Sequence, residues 1–553
     1  MEYSVLIAAI LLATSGISVA FSLYVVQGNY RPAIGKIFTV VGLSVFVWSF
    51  GQAVAAAALE REVSLIGSRI ASAGYLTAFA LFLNATIILT KHHDILSKWW
   101  GYPAIYLPAA ASLYGLVVLP LTGRYADEMV RTRFGWVLES TQPWGWLGFV
   151  YCAAYSVAIF ALIGRWAMRT DSASERKYAW YLAASLCVSL ALAAAVEVAF
   201  SRLDISFPGA VSVLALFPLA AMGYVVKRLR FVQGKAVDPN ERILDKAMLR
   251  RVYRIVAVCF ITGSLINLLC WSMPGRQFES ASTIMLSAFL ALIGAGVLLL
   301  GVLRLEESFR ELILSLVFSL AIPMITLSYI AYAGMAIWAS FFLWLIISLL
   351  FNKRLLLGTV ILSAIQTQIL VWCVVPEAQF AMESVDYVIR LSLVVLAAFL
   401  CSLANRVYRH RLKENAKYAI RQTLVSDISH GFISVDENNF DKKADGMLRQ
   451  CAEFLGCEQG SLALVDQTTG AMRYCAEWAC ETAGADMQRA CSMRVVDFFP
   501  AIKDKLVAHR LLTVSDPCML PDWSSQIRSY FGEMGFRGLV MLPIMKNGEP
   551  IGF

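Results

Sequence analysis

An acidic side chain, Glu197, falls inside the long apolar segment 178–200 of this sequence. A charged group in membrane hydrocarbon is costly, so such a residue is by default a candidate for function. Helix packing would bring Glu197 close to Gln52, Trp48 and Tyr75, whose amide and aromatic groups could bind a small amphipathic molecule beside the carboxylate. The alternative is that Glu197 lies within a turn of the interface, where its carboxylate reaches water and nearby tryptophans form an aromatic belt.

The sequence contains no pattern typical of a catalytic or metal centre. It has no phosphate-binding glycine loop, no H-E-x-x-H motif and no credible catalytic triad. The twelve cysteines include no C-x-x-C pair, so reduced structural thiols are expected. We therefore expect no catalytic residues, no metal and no cofactor in this chain.

The composition is typical of a membrane protein. Apolar residues make up 59% of the 553 residues and charged residues 16%, with a mean hydropathy of +0.65, whereas soluble domains have about 45–50% and about 25%. The apolar blocks end near Leu403, and the remaining chain has a soluble composition. Because 434–553 is net acidic and the membrane part is basic, the positive charge reflects membrane topology and does not indicate nucleic-acid binding.

The apolar blocks predict an all-α bundle that crosses the lipid bilayer about thirteen times. A hydrocarbon core about 30 Å thick requires roughly 20 apolar residues of helix. Segments of this kind lie at 4–26, 37–59, 70–90, 102–121, 146–166, 178–200, 207–226, 252–271, 283–303, 312–332, 335–351, 355–375 and 385–404.

The loop charges predict the orientation. Lysine and arginine concentrate in alternate loops, most densely at 165–177, 227–251 and 406–417, and the positive-inside rule places these loops in the cytosol. An odd number of spans also requires termini on opposite sides. We predict a multi-pass protein of the cell inner membrane with its N-terminus outside and its C-terminal domain in the cytoplasm; the loop at 122–145 could form a structured outer cap.

These patterns divide the chain into five predicted parts. Residues 1–230 would form a seven-helix membrane region, 231–251 a cytosolic linker and 252–404 a six-helix membrane region. Residues 405–433 would form a helix that leaves the membrane, and 434–553 a soluble α+β domain.

The segment that leaves the membrane contains one predicted apolar face. It has no glycine or proline over 405–429, and its apolar residues recur at three- and four-residue spacing. They are Leu412, Ala416, Ala419, Ile420, Leu424 and Ile428, here called the apolar stripe. Pairing of two copies in a homodimer would bury the stripe. Packing of this helix on the following domain explains it equally well.

The C-terminal part alternates between helices and strands. Helices are predicted at 440–455, 495–509 and 524–534, and strands at 461–465, 471–478, 511–514 and 538–544. Asn547-Gly548 predicts a two-residue hairpin, and Ile551 begins the partner strand. A domain that stopped there would leave an unfinished sheet edge, so we expect it to continue beyond Phe553.

This order of elements resembles a GAF domain over most of 439–553. Matching features are Cys451 to Gly456 at the end of the first helix, Glu477-Trp478 in the second strand and the run from Asp516 to Trp523. The resemblance is to GAF domains found ahead of GGDEF/EAL cyclic-di-GMP enzymes and some histidine kinases. It implies an antiparallel sheet with flanking helices, incomplete at the C-terminus. It also implies a ligand pocket with wall residues Tyr474, Trp478, Cys480 and Trp523.

Residues 1–230 resemble the seven-helix N-terminal sensor region of bacterial histidine kinase-type receptors. The matching features are Arg69-Ile70 in the third span, Leu203 to Ile205 with Pro208 before the seventh, and Lys227 to Phe231 at its end. The resemblance implies detection of a molecule in or at the membrane, and it gives no counterpart for the six later spans.

Together, these features predict the input part of a membrane signal-transduction receptor. The bundle or the GAF domain would sense an unknown small molecule and relay the signal to an output module outside this sequence. A diguanylate cyclase/phosphodiesterase is the first expectation and a histidine kinase the second. The alternative is a transporter or channel with a regulatory cytosolic domain, which intramembrane charge pairs or helices broken at mid-depth would favour.

Overall fold

The protein is described from a computed structural model. The structure describes residues 2–26, 32–121, 128–132, 135–139, 143–202, 209–231, 246–272, 280–333, 338–374, 384–433, 439–457, 459–465, 472–479, 512–514, 538–546 and 549–552. The chain forms two compact units, Met1–His410 and Arg411–Phe553.

Long apolar helices build the first unit, because a segment in hydrocarbon must satisfy its backbone hydrogen bonds within itself. The helices of its first half are α1 (Glu2–Val26), α2 (Pro32–Ala57), α3 (Arg61–Leu89), α4 (His93–Ser97), α5 (Gly101–Leu113), α6 (Leu119–Leu121), α7 (Pro143–Arg169), α8 (Ala173–Arg202), α9 (Ala210–Leu214) and α10 (Leu216–Phe231), with a π-helical turn at Tyr114–Val118. Those of the second half are α11 (Lys246–Ser272), α12 (Ser280–Val302), α13 (Glu307–Ala333), α14 (Ser340–Leu350), α15 (Arg354–Val374) and α16 (Ser384–Ile433).

Within the described residues, twelve helices are long and apolar enough to cross a membrane, which confirms the prediction of a multi-pass helical membrane protein. The count differs from the predicted thirteen at one segment, 335–351. That segment contains α14, whose 11 residues are fewer than the roughly 20 that span a hydrocarbon core. The argument from an odd number of spans therefore depends on α14, and the orientation of the bundle stays a prediction.

Helices from the two halves of the first unit contribute to a shared buried cluster. Leu327 of α13 and Leu370 of α15 are buried together with Leu11 and Leu12 of α1. The six later spans thus include helices that pack directly on the first span. Small residues allow the closest approaches between helix backbones, and such packing matters in membranes because apolar side chains gain little from leaving lipid. At Gly74 of α3, an added Cβ atom would lie 2.2 Å from the backbone nitrogen of Trp48 in α2.

An antiparallel hairpin forms in the loop 122–145. Its strands are β1 (Glu128–Thr132) and β2 (Gly135–Glu139). Nε1 of Trp136 donates a hydrogen bond of 2.9 Å to the carbonyl oxygen of Ala58. Gly135, at φ +123°, lies against the backbone of Ala56, where a side chain would collide. The hairpin therefore packs on the C-terminal end of α2 and on the turn that follows it.

The second unit contains an amphipathic helix, α17 (Phe440–Leu455), with the predicted bounds. Gly456, at φ +69°, ends this helix, and the amides of Gly456 and Cys457 bond to the carbonyl oxygens of Glu453 and Ala452. This is the cap that a left-handed residue provides at a helix C-terminus.

Strands follow α17 in the second unit. A four-stranded antiparallel sheet has the order β4 (Met472–Ala479), β3 (Gln459–Val465), β8 (Glu549–Gly552), β7 (Ile544–Lys546), and β5 (Leu512–Val514) pairs with β6 (Leu539–Met541). Lys546 pairs with Glu549, which confirms a two-residue connection at the predicted Asn-Gly turn. The helices predicted at 495–509 and 524–534 lie outside the described residues.

Candidate functional site

Two of the four residues predicted to bind a ligand in the membrane contact each other. The ring of Trp48 lies 5.9 Å from the ring of Tyr75 between centroids. Gln52 is one turn beyond Trp48, partly buried, with its Cβ beside Gly209. The backbone of Glu197 belongs to α8, and its side chain lies outside the described residues.

Packing between α2 and α3 accounts for the burial of Trp48. This residue is 8% exposed, and the backbone of α3 at Gly74 approaches it so closely that no side chain fits between them. The structure therefore places Trp48 and Tyr75 together at a close helix contact.

A second buried polar region lies where α1, α13 and α15 meet, and no sequence pattern above predicted it. Its residues are small or carry an amide, and all are buried. They are Ser15, Gly16 and Ser18 of α1, Ser315 and Ser319 of α13, and Thr359, Ser363, Gln366 and Thr367 of α15. This region is called the polar seam. Its signal in the sequence is the recurrence of polar residues every three or four positions inside apolar spans, which places them on one helical face.

Gln366 joins the two ends of the chain within the seam. Oγ of Ser15 lies 2.6 Å from Oε1 of Gln366 and 2.7 Å from the carbonyl oxygen of Leu12, so its proton can be donated to either. Nε2 of Gln366 donates to the same Leu12 carbonyl at 2.8 Å. One amide therefore links α15 to both backbone and side chain of α1.

Most hydroxyls in the seam donate to their own helix, as serine and threonine commonly do in membrane spans. Ser18 donates to the carbonyl of Ser15 at 2.7 Å, and Thr367 to that of Ser363 at 2.6 Å. The hydroxyls of Ser315, Ser319 and Ser363 differ, since none of them has a hydrogen-bond partner in the described structure. All three residues are buried, Ser319 at 1% exposed and the other two at 0%.

The hydroxyls of Ser319 and Ser363 both approach Gly16. A Cβ atom added to Gly16 would lie 2.9 Å from Oγ of Ser319 and 3.0 Å from Oγ of Ser363. The absence of a side chain at Gly16 therefore avoids crowding of both hydroxyls.

Prolines inside spans free carbonyl oxygens, because proline lacks the N–H that would bond to the residue four positions earlier. Pro218 frees the carbonyl of Leu214, which accepts a hydrogen bond of 2.8 Å from Oγ of Ser189. The hydroxyl of Tyr155 lies 2.9 Å from the carbonyl oxygen of Ala104, which Pro108 frees, and 2.8 Å from that of Ile105, so its proton can be donated to either. The bundle thus supplies side-chain donors for both oxygens.

Pro323 of α13 creates a third freed carbonyl, that of Ser319. In the part of the chain that the structure describes, no side chain donates to this oxygen. Ser319 therefore contributes two oxygen atoms to the seam, the hydroxyl and the carbonyl, without a side-chain donor for either.

The seam lies at mid-depth. Ser15, Ser319 and Ser363 each fall near the middle of a spanning segment; these segments are Tyr3–Val26, Glu307–Tyr329 and Arg354–Cys373. Water does not hydrogen-bond to groups in hydrocarbon, so an unsatisfied polar atom there is costly. The side chains of the seam offer neutral oxygen atoms and one amide nitrogen. Among the described residues, no cluster of three or more His, Cys, Asp or Glu occurs.

A charged cluster lies at the N-terminal ends of α13 and α15. Lys353 and Glu307 form an ion pair. Glu311, which is 9% exposed, accepts a hydrogen bond of 3.2 Å from the backbone N–H of Leu355 through Oε1. A carboxylate at this position also complements the partial positive charge at the N-terminus of α15. The cluster fixes the start of α15 against α13.

The four residues predicted to line a GAF pocket are described only in part. Trp478 is partly buried in β4 and pairs with Gly460 of β3. Tyr474 pairs with Ala463, and its side chain lies outside the described residues, as do Cys480 and Trp523 entirely.

No protein-family model matches this sequence, and neither a curated protein nor a solved structure matches it.

Proposed function

We propose that this chain is the input part of a bacterial membrane signal-transduction receptor. The observation that carries the proposal is the continuity of α16, which is one uninterrupted helix from Ser384 to Ile433. Its 50 residues correspond to about 75 Å at 1.5 Å per residue. The predicted last span and the predicted exit helix thus belong to one helix, through which we propose that a rotation or shift passes from the membrane bundle to the soluble unit.

The membrane half of α16 buries only one narrow face. Tyr387, Val394, Ala398 and Asn405 are 0–6% exposed, and their spacing of seven, four and seven residues keeps them on one side of the helix. Large apolar residues on its other sides, such as Phe399 at 65%, are exposed. A helix held along so narrow a face can rotate or slide at little cost in packing.

The apolar stripe extends the same face beyond the membrane. Leu412, Ala416 and Ala419 continue the spacing of the buried residues, and farther along Ile420 is 43% exposed while Leu424 is partly buried. Since apolar residues at this spacing pair in coiled coils, we propose that two copies associate along the stripe in a homodimer.

The soluble unit supports the proposal by its order of elements. Helix α17, strands β3 and β4, and the hairpin of β7 and β8 follow one another as in the GAF resemblance. On this basis the unit is proposed as a cytoplasmic GAF domain that receives the signal or a second small molecule. The output module would be a cyclic-di-GMP cyclase/phosphodiesterase or, second, a histidine kinase, at the inner membrane.

A relay experiment tests this function without knowledge of the signal. Ile420→Cys reports the association of two copies by disulfide formation in native membranes, measured against the parent chain with its native cysteines. In that background, Val394→Trp would overfill the buried face of α16, whereas Val395→Trp adds the same ring on the exposed side, where Val395 is 47% exposed. The two sites lie about 39 Å from Ile420 along the helix.

We expect Val394→Trp to change the cross-linking rate at Ile420→Cys several-fold and Val395→Trp to leave it unchanged. Equal rates in both variants would contradict a relay through α16, and no cross-linking in any variant would contradict the homodimer.

A transporter or channel with a regulatory soluble domain is the second candidate, and the polar seam favours it. Polar atoms and freed backbone carbonyls at mid-depth are features of substrate and ion sites in transporters. Uptake of a labelled monovalent cation into proteoliposomes containing the full chain, compared with empty liposomes, tests this candidate. Uptake above the empty control would support transport.

A further inference from the structure

The polar seam contains oxygen atoms that the protein itself does not satisfy. The hydroxyls of Ser319 and Ser363 are buried, have no partner in the described structure and lie within 3.0 Å of one point beside Gly16. Pro323 leaves the carbonyl of Ser319 without its helical donor. Comparable carbonyls freed by Pro218 and Pro108 do receive side-chain donors. Those two carbonyls have side-chain donors, whereas no described side chain donates to the carbonyl of Ser319, which lies on the same residue as an unpartnered hydroxyl.

We propose that the seam binds a sodium ion between α1, α13 and α15. Its candidate ligands are the hydroxyl and carbonyl oxygens of Ser319, the hydroxyls of Ser363 and Ser15, and Oε1 of Gln366. All are hard oxygen donors, which alkali and alkaline-earth cations prefer. The site goes beyond the proposed receptor function and does not depend on it.

The charge of the seam selects a monovalent ion. A divalent cation is normally held by carboxylates, and none of the residues that define the seam is an aspartate or glutamate. Neutral oxygens from backbone and side chains can replace the hydration shell of a monovalent cation inside a membrane, as carbonyl rings do in channels. In transporters, freed backbone carbonyls at mid-depth coordinate sodium in the same way.

Sodium binding would also explain why Gly16 faces the two hydroxyls. A Cβ atom at this position would come within 3.0 Å of both hydroxyl oxygens and would crowd an ion bound between them. Ser15 and Gln366 neighbour these residues in the sequence, since Ser15 precedes Gly16 and Gln366 is one turn after Ser363. The hydrogen bond between them holds α1 against α15 and fixes the distance across the site.

Thermal unfolding of the purified full chain in nanodiscs tests the site, with sodium chloride compared with choline chloride at equal ionic strength. A ligand that binds only the folded state raises the midpoint as its concentration rises. We expect the midpoint to rise by a few degrees with sodium and to stay constant with choline. The same midpoint in both salts would overturn the proposal, leaving buried water as the partner of the hydroxyls.

Matched serine variants locate the effect. Ser363→Ala removes a proposed ligand and should abolish the dependence on sodium. Ser22→Ala removes a buried hydroxyl of α1 that donates to the carbonyl of Ser18 and should retain that dependence. A sodium dependence that persists in Ser363→Ala would overturn the assignment. If Ser363→Ala fails to fold, the comparison of sodium with choline in the unmodified chain decides.

Discussion

The hydroxyl of Ser15 lies 2.6 Å from Oε1 of Gln366, so that residues 351 positions apart are hydrogen-bonded in the interior of the bundle. The contact joins the first span to a helix of the region predicted at 252–404. Hydrogen bonds between membrane helices contribute about 0.6 kcal/mol on average and up to about 1.7 kcal/mol. Its main consequence is positional, because it fixes the register of α1 against α15 around the seam.

Gly74→Ala should destabilise the membrane unit. The new Cβ would lie 2.2 Å from the backbone nitrogen of Trp48, so α2 and α3 would have to separate, and overpacking of this kind costs about 1–3 kcal/mol. Gly164→Ala is the matched control, since nothing lies within 4 Å of its added Cβ. Thermal unfolding in detergent should show a lower midpoint for Gly74→Ala alone. Equal midpoints would contradict the close contact.

Ser189→Ala should lower the free energy of unfolding by about 1 kcal/mol, which is in the range of hydrogen bonds between membrane helices. The variant leaves the freed carbonyl of Leu214 without its donor. Pro218→Ala restores a backbone N–H for that carbonyl. In the Pro218→Ala background, Ser189→Ala should therefore cost much less. A double-mutant cycle on the free energy of unfolding measures this difference, and strictly additive effects would show that the serine does not serve the freed carbonyl.

Glu311→Ala should destabilise the protein more than Glu307→Ala, although both variants remove a carboxylate from α13. Glu311 is 9% exposed and accepts the N–H of Leu355, so its loss leaves a buried donor unpaired at a cost of about 1–3 kcal/mol. Glu307 forms a partly exposed ion pair with Lys353, and such pairs contribute about 0–1 kcal/mol. Unfolding midpoints of the two variants provide the comparison, and a larger loss in Glu307→Ala would refute it.

The second unit offers a paired glycine test in α17. Gly456→Ala should destabilise the helix end by roughly 1–2 kcal/mol, because φ +69° is unfavourable for a residue with Cβ. Gly446 lies inside the same helix with nothing within 4 Å of an added Cβ, so Gly446→Ala should stabilise it by about 1 kcal/mol. The rate of amide hydrogen exchange in α17 of the full chain should rise in Gly456→Ala and fall in Gly446→Ala. The same direction in both would contradict the cap.

The sequence predicted the elements governed by local rules. The bounds of α17 follow from its amphipathic spacing, the hairpin at 547–548 from Asn-Gly turn chemistry, and eleven of the spans plus the membrane half of α16 from apolar length alone. The break between α9 and α10 coincides with Pro218, which cannot donate to Leu214. Each of these signals lies within a few residues of the feature that it determines.

The polar seam could not be predicted in the same way. Ser15, Ser319 and Ser363 are common residues in membrane spans, and only the packing of α1 on α13 and α15 brings them together. That packing joins residues more than 300 positions apart, which helical periodicity does not encode. The predicted group around Glu197 had the opposite basis, since it relied on a costly charge within one span. The structure shows a contact between Trp48 and Tyr75, and the binding site stays a prediction.

The most direct test of the receptor account is a cysteine cross-linking scan of residues 412–428 in native membranes, with each variant compared with the parent chain. The account predicts strong cross-linking between copies at the stripe residues Leu412, Ala416, Ile420 and Leu424. It predicts weak cross-linking at Tyr418, on the opposite face. A profile without helical periodicity, or one with its maximum at Tyr418, would contradict the claim that two α16 helices pair and carry the signal out of the membrane.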